Sequence, residues 1–220
     1  DALLGRHDAS GRLQLDEIRI SADELRNVDK IIIVACGTAF YAGLVAKYAI
    51  EHWTRIPCEV ELAHEFRYRD PILTQSTLVV AISQSGETAD TLMAIRHARE
   101  QRSKVLAICN THGSTIPRES DAVIYTHAGP EIGVASTKAF TTQLVALALL
   151  ALGLARHHGI VAERYTGLVR QLQTLPAVVR DALAIDADIQ ILARQFLGRD
   201  HALFLGRGTQ YPVAMEGALK

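Results

Sequence analysis

The stretch Leu78–Thr88, LVVAISQSGET, decides how the rest of the chain is read. LVVAIS is a continuous apolar, β-rich run, the pattern of a strand buried on both faces. SQSGET is polar and turn-forming, and Thr88 to Arg102 reads as a helix. A buried strand that passes through a short glycine-containing turn into a helix is the building unit of a parallel sheet. The unit recurs on both sides. Lys30–Ala35 (KIIIVA) is a strand, Cys36-Gly37-Thr38 a turn, and Phe40–Trp53 a helix. Glu59–Ala63 is a weaker strand after Pro57, Val105–Cys109 a strand followed by the polar loop Asn110–Ser114, and Ala122–Thr126 another strand. A long apolar helix runs from Lys138 to about His157. The order predicts an α/β fold: a flavodoxin-like, doubly wound domain with a five-stranded parallel sheet between helices.

Working outward, residues 1–29 read as an N-terminal connector, with a short amphipathic helix around Asp23, Glu24 and Arg26. Residues 30–158 form the predicted domain. Residues 159–199 are a helical linker, interrupted at Pro176, whose apolar residues from Val161 onward are expected to face solvent in the absence of a partner domain. Residues 200–220 then look like the opening of a second copy, with Ala202–Leu205 (ALFL) as its first strand. VACGTAFYAGLVAK near residue 34 aligns with FLGRGTQYPVAMEG near residue 204, pairing Gly37 and Thr38 with Gly208 and Thr209, and Phe40 with Tyr211. The chain begins without Met and stops at Lys220 inside a helical pattern, so it is expected to be part of a longer protein.

Bulk properties exclude several classes of function. The formal net charge of -1 offers no electrostatic attraction to nucleic acid or to an anionic membrane. A bound phosphate must then be held by local dipoles. The three cysteines, Cys36, Cys58 and Cys109, have neither redox-pair nor zinc-knuckle spacing, and fit a reducing cytoplasm. Nine histidines are scattered without an HExxH, and His157 and His158 point about 100° apart on a helix. No metal and no cofactor are expected. DALLGRHDASGRL has no signal-peptide pattern, and the most apolar run, Leu144–Leu154, is too short to span a bilayer.

In an open parallel sheet, ligands bind beyond the carboxyl ends of the strands, where three loops of this chain meet. In Ser83–Thr88, a helix start offers free N–H groups, Gly86 allows close approach, and Ser83, Ser85, Thr88 and Gln84 add neutral donors. No lysine follows, so this is not a Walker A loop, and no GxGxxG follows any strand. The plainer role is a Ser85 helix cap with Glu87 and Asp90 serving the dipole. In the loop Cys36–Ala39, Thr38 is a candidate cap, and Cys36 reads as a small buried residue rather than a nucleophile. In Gly129–Lys138, Lys138 opposes the dipole of the following helix. Glu131 or a bound anion must compensate, and Ser136 is a cap or a ligand contact. His64, Glu65, Arg67 and Arg69 read as a solvated or interface face.

The blocks CGTAFYAGLVAKY, EVELAHEFRYR, SQSGETADTL, LAICN, RESD, GPEIGVASTKAFTTQL and LFLGRGTQYPVAMEGALK resemble, in order from about Lys30 to Lys220, the glucosamine-6-phosphate synthase family. SQSGET is the general mark of sugar isomerase (SIS) domains; EIGVASTKAFTTQ and GRGTQYPVAMEGALK are more specific to the synthases. The resemblance implies a first SIS domain and the start of a second, in the isomerase half of an enzyme that makes glucosamine 6-phosphate from fructose 6-phosphate and glutamine. It also implies a glutaminase domain on the same longer chain and a homodimer. It places Ser83, Gln84, Ser85 and Thr88 at the sugar phosphate, Thr38, Val134 and Ser136 against the sugar, and Glu216 and Lys220 among the catalytic groups. Ala39 stands where the family often has a substrate-touching serine. The family motif continues EGALKLKE, and its last glutamate, the expected enolisation base, would fall beyond Lys220; the Schiff-base lysine near the family's C-terminus and the histidine lent by a neighbouring subunit have no counterpart in these residues either. These 220 residues alone are therefore expected not to complete the reaction. The alternative is a sugar-phosphate-binding module or regulator without catalysis.

Overall fold

The computed structural model describes residues 19–133 and 136–220; residues 1–18 of the expected connector, and Val134, lie outside the described residues. Five strands form the sheet: β1 (Lys30–Ala35), β2 (Cys58–Leu62), β3 (Thr77–Ser83), β4 (Lys104–Cys109) and β5 (Ala122–Tyr125). Their order is β2-β1-β3-β4-β5, and every pairing is parallel. This is the doubly wound arrangement that the sequence predicts.

Successive strand residues point to opposite faces, so each strand feeds two cores. Ile31, Ile33, Leu78, Val80, Ile82, Leu106 and Ile108 pack on one face, beneath α2 (Gly37–Thr54) and α6 (Lys138–His157). Ile32, Val34, Val79, Ala81, Val105 and Ala107 pack on the other, beneath α3 (Ala63–Arg69), α4 (Ala89–Glu100) and α5 (Thr115–Arg118). Burial on both sides explains why the strands read as unbroken apolar runs. Helix α2 lies very close to the sheet at Gly43, where a Cβ would stand 2.9 Å from Ile33 Cγ2. Helix α6 is long and apolar enough to cross a membrane by length and composition. Here it is a core helix, with Leu147, Leu150 and Leu154 packed against α2 and the sheet.

Before the sheet, α1 (Ala22–Arg26) is opened by a capping box, in which the Glu24 amide donates to Ser21 Oγ and the Ser21 amide donates to Glu24 Oε2. After it come α7 (Ala162–Ala184), α8 (Asp186–Ala193), a short 3₁₀ turn (Arg194–Phe196) and α9 (Gln210–Leu219). Two expectations need correction. Pro176 does not interrupt its helix: the missing N–H costs one backbone bond, but the proline ring already holds a helical φ, so α7 continues to Ala184. Ala202–Leu205 forms no strand. A strand exists only through a ladder, and none of the described residues pairs with this segment; Leu203 and Leu205 are exposed. The apolar side chains of 178–205 do face solvent, among them Leu183, Ile191 and Leu197.

Two measurements test this account. Phe66 is fully buried between α3 and the sheet, whereas Tyr68 on the same helix is 77% exposed. Phe66→Ala is expected to cost about 3–5 kcal/mol and Tyr68→Ala no more than about 0.5 kcal/mol in denaturant titrations. The Ser21 amide and hydroxyl, with Lys104, hold Glu24 down at about 2. A carboxylate with a depressed folded pKa stabilises above its unfolded value and loses that contribution as pH falls through the folded one. Glu24→Gln should therefore flatten the decline in stability between the ordinary 4.5 and about 2, with a small amplitude because the side chain is partly exposed.

Candidate functional site

Strand β1 has β2 on one side and β3 on the other, and the helices that follow β1 and β3 lie on opposite faces of the sheet. Their loops diverge at the carboxyl ends and leave a crevice. A cleft of about 310 Å³ occupies it, lined by Thr38, Ala39, Ser83, Gln84, Ser85, Thr88, Glu131, Ser136 and Gln143, with Cys36 at the side. Six residues singled out in the sequence thus meet in one place: Thr38, Ser83, Gln84, Ser85, Thr88 and Ser136. Ala39 presents no hydroxyl. Val134 lies outside the described residues.

The Ser83–Thr88 loop is built to present donors. Ser83 is buried at the end of β3; its Oγ accepts from the Gly86 amide at 3.0 Å and lies 2.9 Å from Thr88 Oγ1. Ser85 is exposed and its Oγ accepts from the Glu87 amide at 3.2 Å. Thr88, not Ser85, occupies the N-cap position of α4, and its hydroxyl makes no cap bond. The first N–H groups of α4 therefore have no intrahelical or side-chain capping partner among the described residues, the condition for an anion site. Gly86 has φ +68°, and a Cβ there would stand 1.9 Å from Ser114 Oγ. The loop is pressed against the next one, where Ile116 N donates to the Gly86 carbonyl at 2.9 Å and Thr115 N donates to Glu87 Oε1 at 2.7 Å. That amide holds the Glu87 carboxyl below its ordinary range. Glu87 thus ties two loops together as well as serving the helix dipole.

Thr38 is not a cap either, since Cys36 holds the N-cap position of α2. Its hydroxyl joins the loops to α9. Thr38 Oγ1 donates to Glu216 Oε1 at 3.1 Å and accepts from Lys220 Nζ at 3.0 Å. Lys220 is also paired with Glu216 Oε1 at 2.9 Å and donates to the Ser136 carbonyl. Glu216 is buried, and its Oε2 has no partner among the described residues. The third loop is ordered by Glu131, which accepts from the Ala139 amide at 2.9 Å, the Thr137 hydroxyl at 3.0 Å and the Ser136 hydroxyl at 3.4 Å. Burial opposes its charge, but these donors, with Lys138, outweigh it and keep the carboxyl below its ordinary range. Glu131 is thus the compensation that Lys138 demanded: it caps α6.

Burial pushes the Cys36 thiol up, as it does Cys58 and Cys109, both to about 12. Burial of this kind disfavours the thiolate form of each. Sequence reasoning missed Gln143, which is buried on α6, lines the cleft and has an Oε1 without a partner among the described residues. The one available signal was an amide in the otherwise apolar stretch QLVALALL. A wider hollow of about 600 Å³ adjoins the cleft, shares Gln84 and Glu131, and is walled by Asn110, His112 and His127. The narrower cleft is the one that collects the loop hydroxyls.

Similarities to known proteins agree with this geometry. The chain is 65% identical over its full length to the glutamine–fructose-6-phosphate aminotransferase (isomerizing) of Streptomyces coelicolor, and 60% identical to the protein of that name from Mycobacterium tuberculosis. It spans 36% and 35% of their lengths, about a third of each. Its structure matches the C-terminal domain of glucosamine-fructose-6-phosphate aminotransferase from Francisella tularensis with a TM-score of 0.93 at 44% identity, over 99% of this chain and 61% of that one. The glucosamine-6-phosphate deaminase of Thermotoga maritima shares the fold, with a TM-score of 0.69 at 24% identity, over 93% of this chain and 65% of that one. Residues 24–153, more than half of the chain, match the SIS domain. The sheet order, the hydroxyl-rich loop at its switch point and this match agree, and the chain belongs to the SIS domain family.

Proposed function

We propose that the cleft binds a sugar phosphate, fructose 6-phosphate or its product glucosamine 6-phosphate, and that the chain serves the isomerising half of a glutamine–fructose-6-phosphate aminotransferase. The observation that carries this reading is the meeting, in one cleft, of a lysine-free, hydroxyl-rich loop with Thr38, whose hydroxyl is bonded to Glu216 and Lys220. Ser83, Gln84, Ser85 and Thr88 hold the phosphate, and Thr38, Val134 and Ser136 contact the sugar. Glu216 and Lys220 stand at the reacting end, where a proton moves between C1 and C2 of the sugar. Thr38 is suited to orient them because its single hydroxyl donates to the carboxylate and accepts from the ammonium. In this reading residues 1–29 are a connector, 30–158 the first SIS domain, 159–199 a helical linker and 200–220 the start of a second SIS domain. The full protein works in the cytoplasm as a homodimer, beside a glutaminase domain that supplies ammonia. High identity to relatives named for this reaction supports the substrate class.

Two experiments test the reading. Ser85→Ala combined with Thr88→Ala removes two donors to a charged group, each worth about 1.5–3 kcal/mol. Calorimetry should show fructose 6-phosphate weakened by far more than fructose; equal weakening of both would refute a phosphate role. In the full-length protein, Thr38→Val should lower kcat by about 10–100-fold with a smaller change in KM, because it misplaces groups rather than removing the phosphate site. A rise in KM alone would reduce Thr38 to a binding contact.

A further inference from the structure

Beside the sugar cleft, three elements bring together three side chains that are remote in sequence. Cys36 Sγ at the start of α2, a ring nitrogen of His64 on α3 and a carboxylate oxygen of Asp90 in the first turn of α4 all lie within 4.8 Å of one another. The backbone amides of Ala63 and His64 lie near the sulfur and partly oppose the burial that raises its thiol. The Thr91 hydroxyl stands beside it, fully buried and with no hydrogen-bond partner among the described residues. Burial outweighs these groups and keeps the free sulfur a thiol, so a thiolate here needs a bound cation, for which the same groups supply an outer shell. A bare thiolate here would also face the Asp90 carboxylate, and His64 already has the Glu65 carboxylate 3.7 Å away. A dication placed between them converts this repulsion into attraction.

The geometry points to a binding site for a thiophilic divalent cation, with Zn²⁺ as the fitting ion, held by Cys36, His64 and Asp90. One sulfur, one imidazole and one carboxylate suit Zn²⁺, whereas Mg²⁺ and Ca²⁺ require oxygen ligands throughout. Zinc bond lengths of about 2.0–2.3 Å place tetrahedral ligands roughly 3.3–3.8 Å apart. His64 and Asp90 are exposed and free to turn inward by the remaining ångström. On binding, the Cys36 S–H bond breaks, its proton passes to water and an S–Zn bond forms. Water fills the fourth position. Cys36 also lines the sugar cleft, so the ion stands at its rim. The site does not depend on which sugar, if any, the cleft holds.

The test titrates the purified protein with Zn²⁺ by calorimetry and with Co²⁺ by absorption. The expected result is one ion per chain and a thiolate-to-Co²⁺ charge-transfer band. Cys36→Ser should abolish the band and weaken Zn²⁺ by at least about tenfold. Cys58 and Cys109 are buried in the core and cannot supply the band in its place. His64→Ala is an exposed substitution that leaves the core intact, and it should also weaken Zn²⁺ several-fold while circular dichroism stays unchanged. A band that survives Cys36→Ser, an affinity indifferent to His64→Ala, or no stoichiometric binding to the unaltered protein would each overturn the assignment.

Discussion

The ladder between β1 and β3 is the constraint on which the site depends. Lys30 pairs with Thr77 and Val34 with Ala81, so the two strands end side by side. Their apolar side chains are buried on both faces, and a slip of one residue would exchange the two cores. With the register fixed, the chain leaves β1 toward one face and β3 toward the other. The backbone amides at the two helix starts then open onto a shared crevice. The β3 loop is held by Gly86 bonded to Ile116, by Ser83 within the loop, and by Glu87 bonded to Thr115.

Much of this was legible because strands buried on both faces leave an unambiguous trace. KIIIVA and LVVAIS have no polar alternation, and few other structures demand that. Helix starts were less legible. Cys36 and Thr88 occupy cap positions without making cap bonds, so composition gave little to locate them. ALFL has strand composition, but pairing is a property of two segments and cannot be read from one. Gln143 was hidden among leucines and alanines because what distinguishes it, a buried oxygen facing a cleft, is a tertiary fact. Lys138 was the opposite case. A cation at a helix start is unfavourable enough to announce that a compensating group exists, and Glu131 is that group.

Thr38, Glu216 and Lys220 show how a distant segment joins a site. Glu216 is buried, and a buried carboxylate without partners would be strongly unfavourable. Lys220 one turn along and the Thr38 hydroxyl provide those partners. One of the groups that anchor α9 on α2, the Thr38 hydroxyl, belongs to a residue that also lines the cleft. Any shift of α9 therefore disturbs a residue of the cleft wall as well.

The lysine-free loop has a kinetic corollary. An anion held by hydroxyls and amide dipoles releases few counterions when it binds, so its affinity should change little with ionic strength. A chain of net charge -1 also carries little net charge with which to steer an approaching anion. On the proposed reading, retention of a phosphate rests on short-range geometry. A site of that kind would distinguish a phosphate monoester from other anions by shape rather than by charge, equally well in dilute and in concentrated salt.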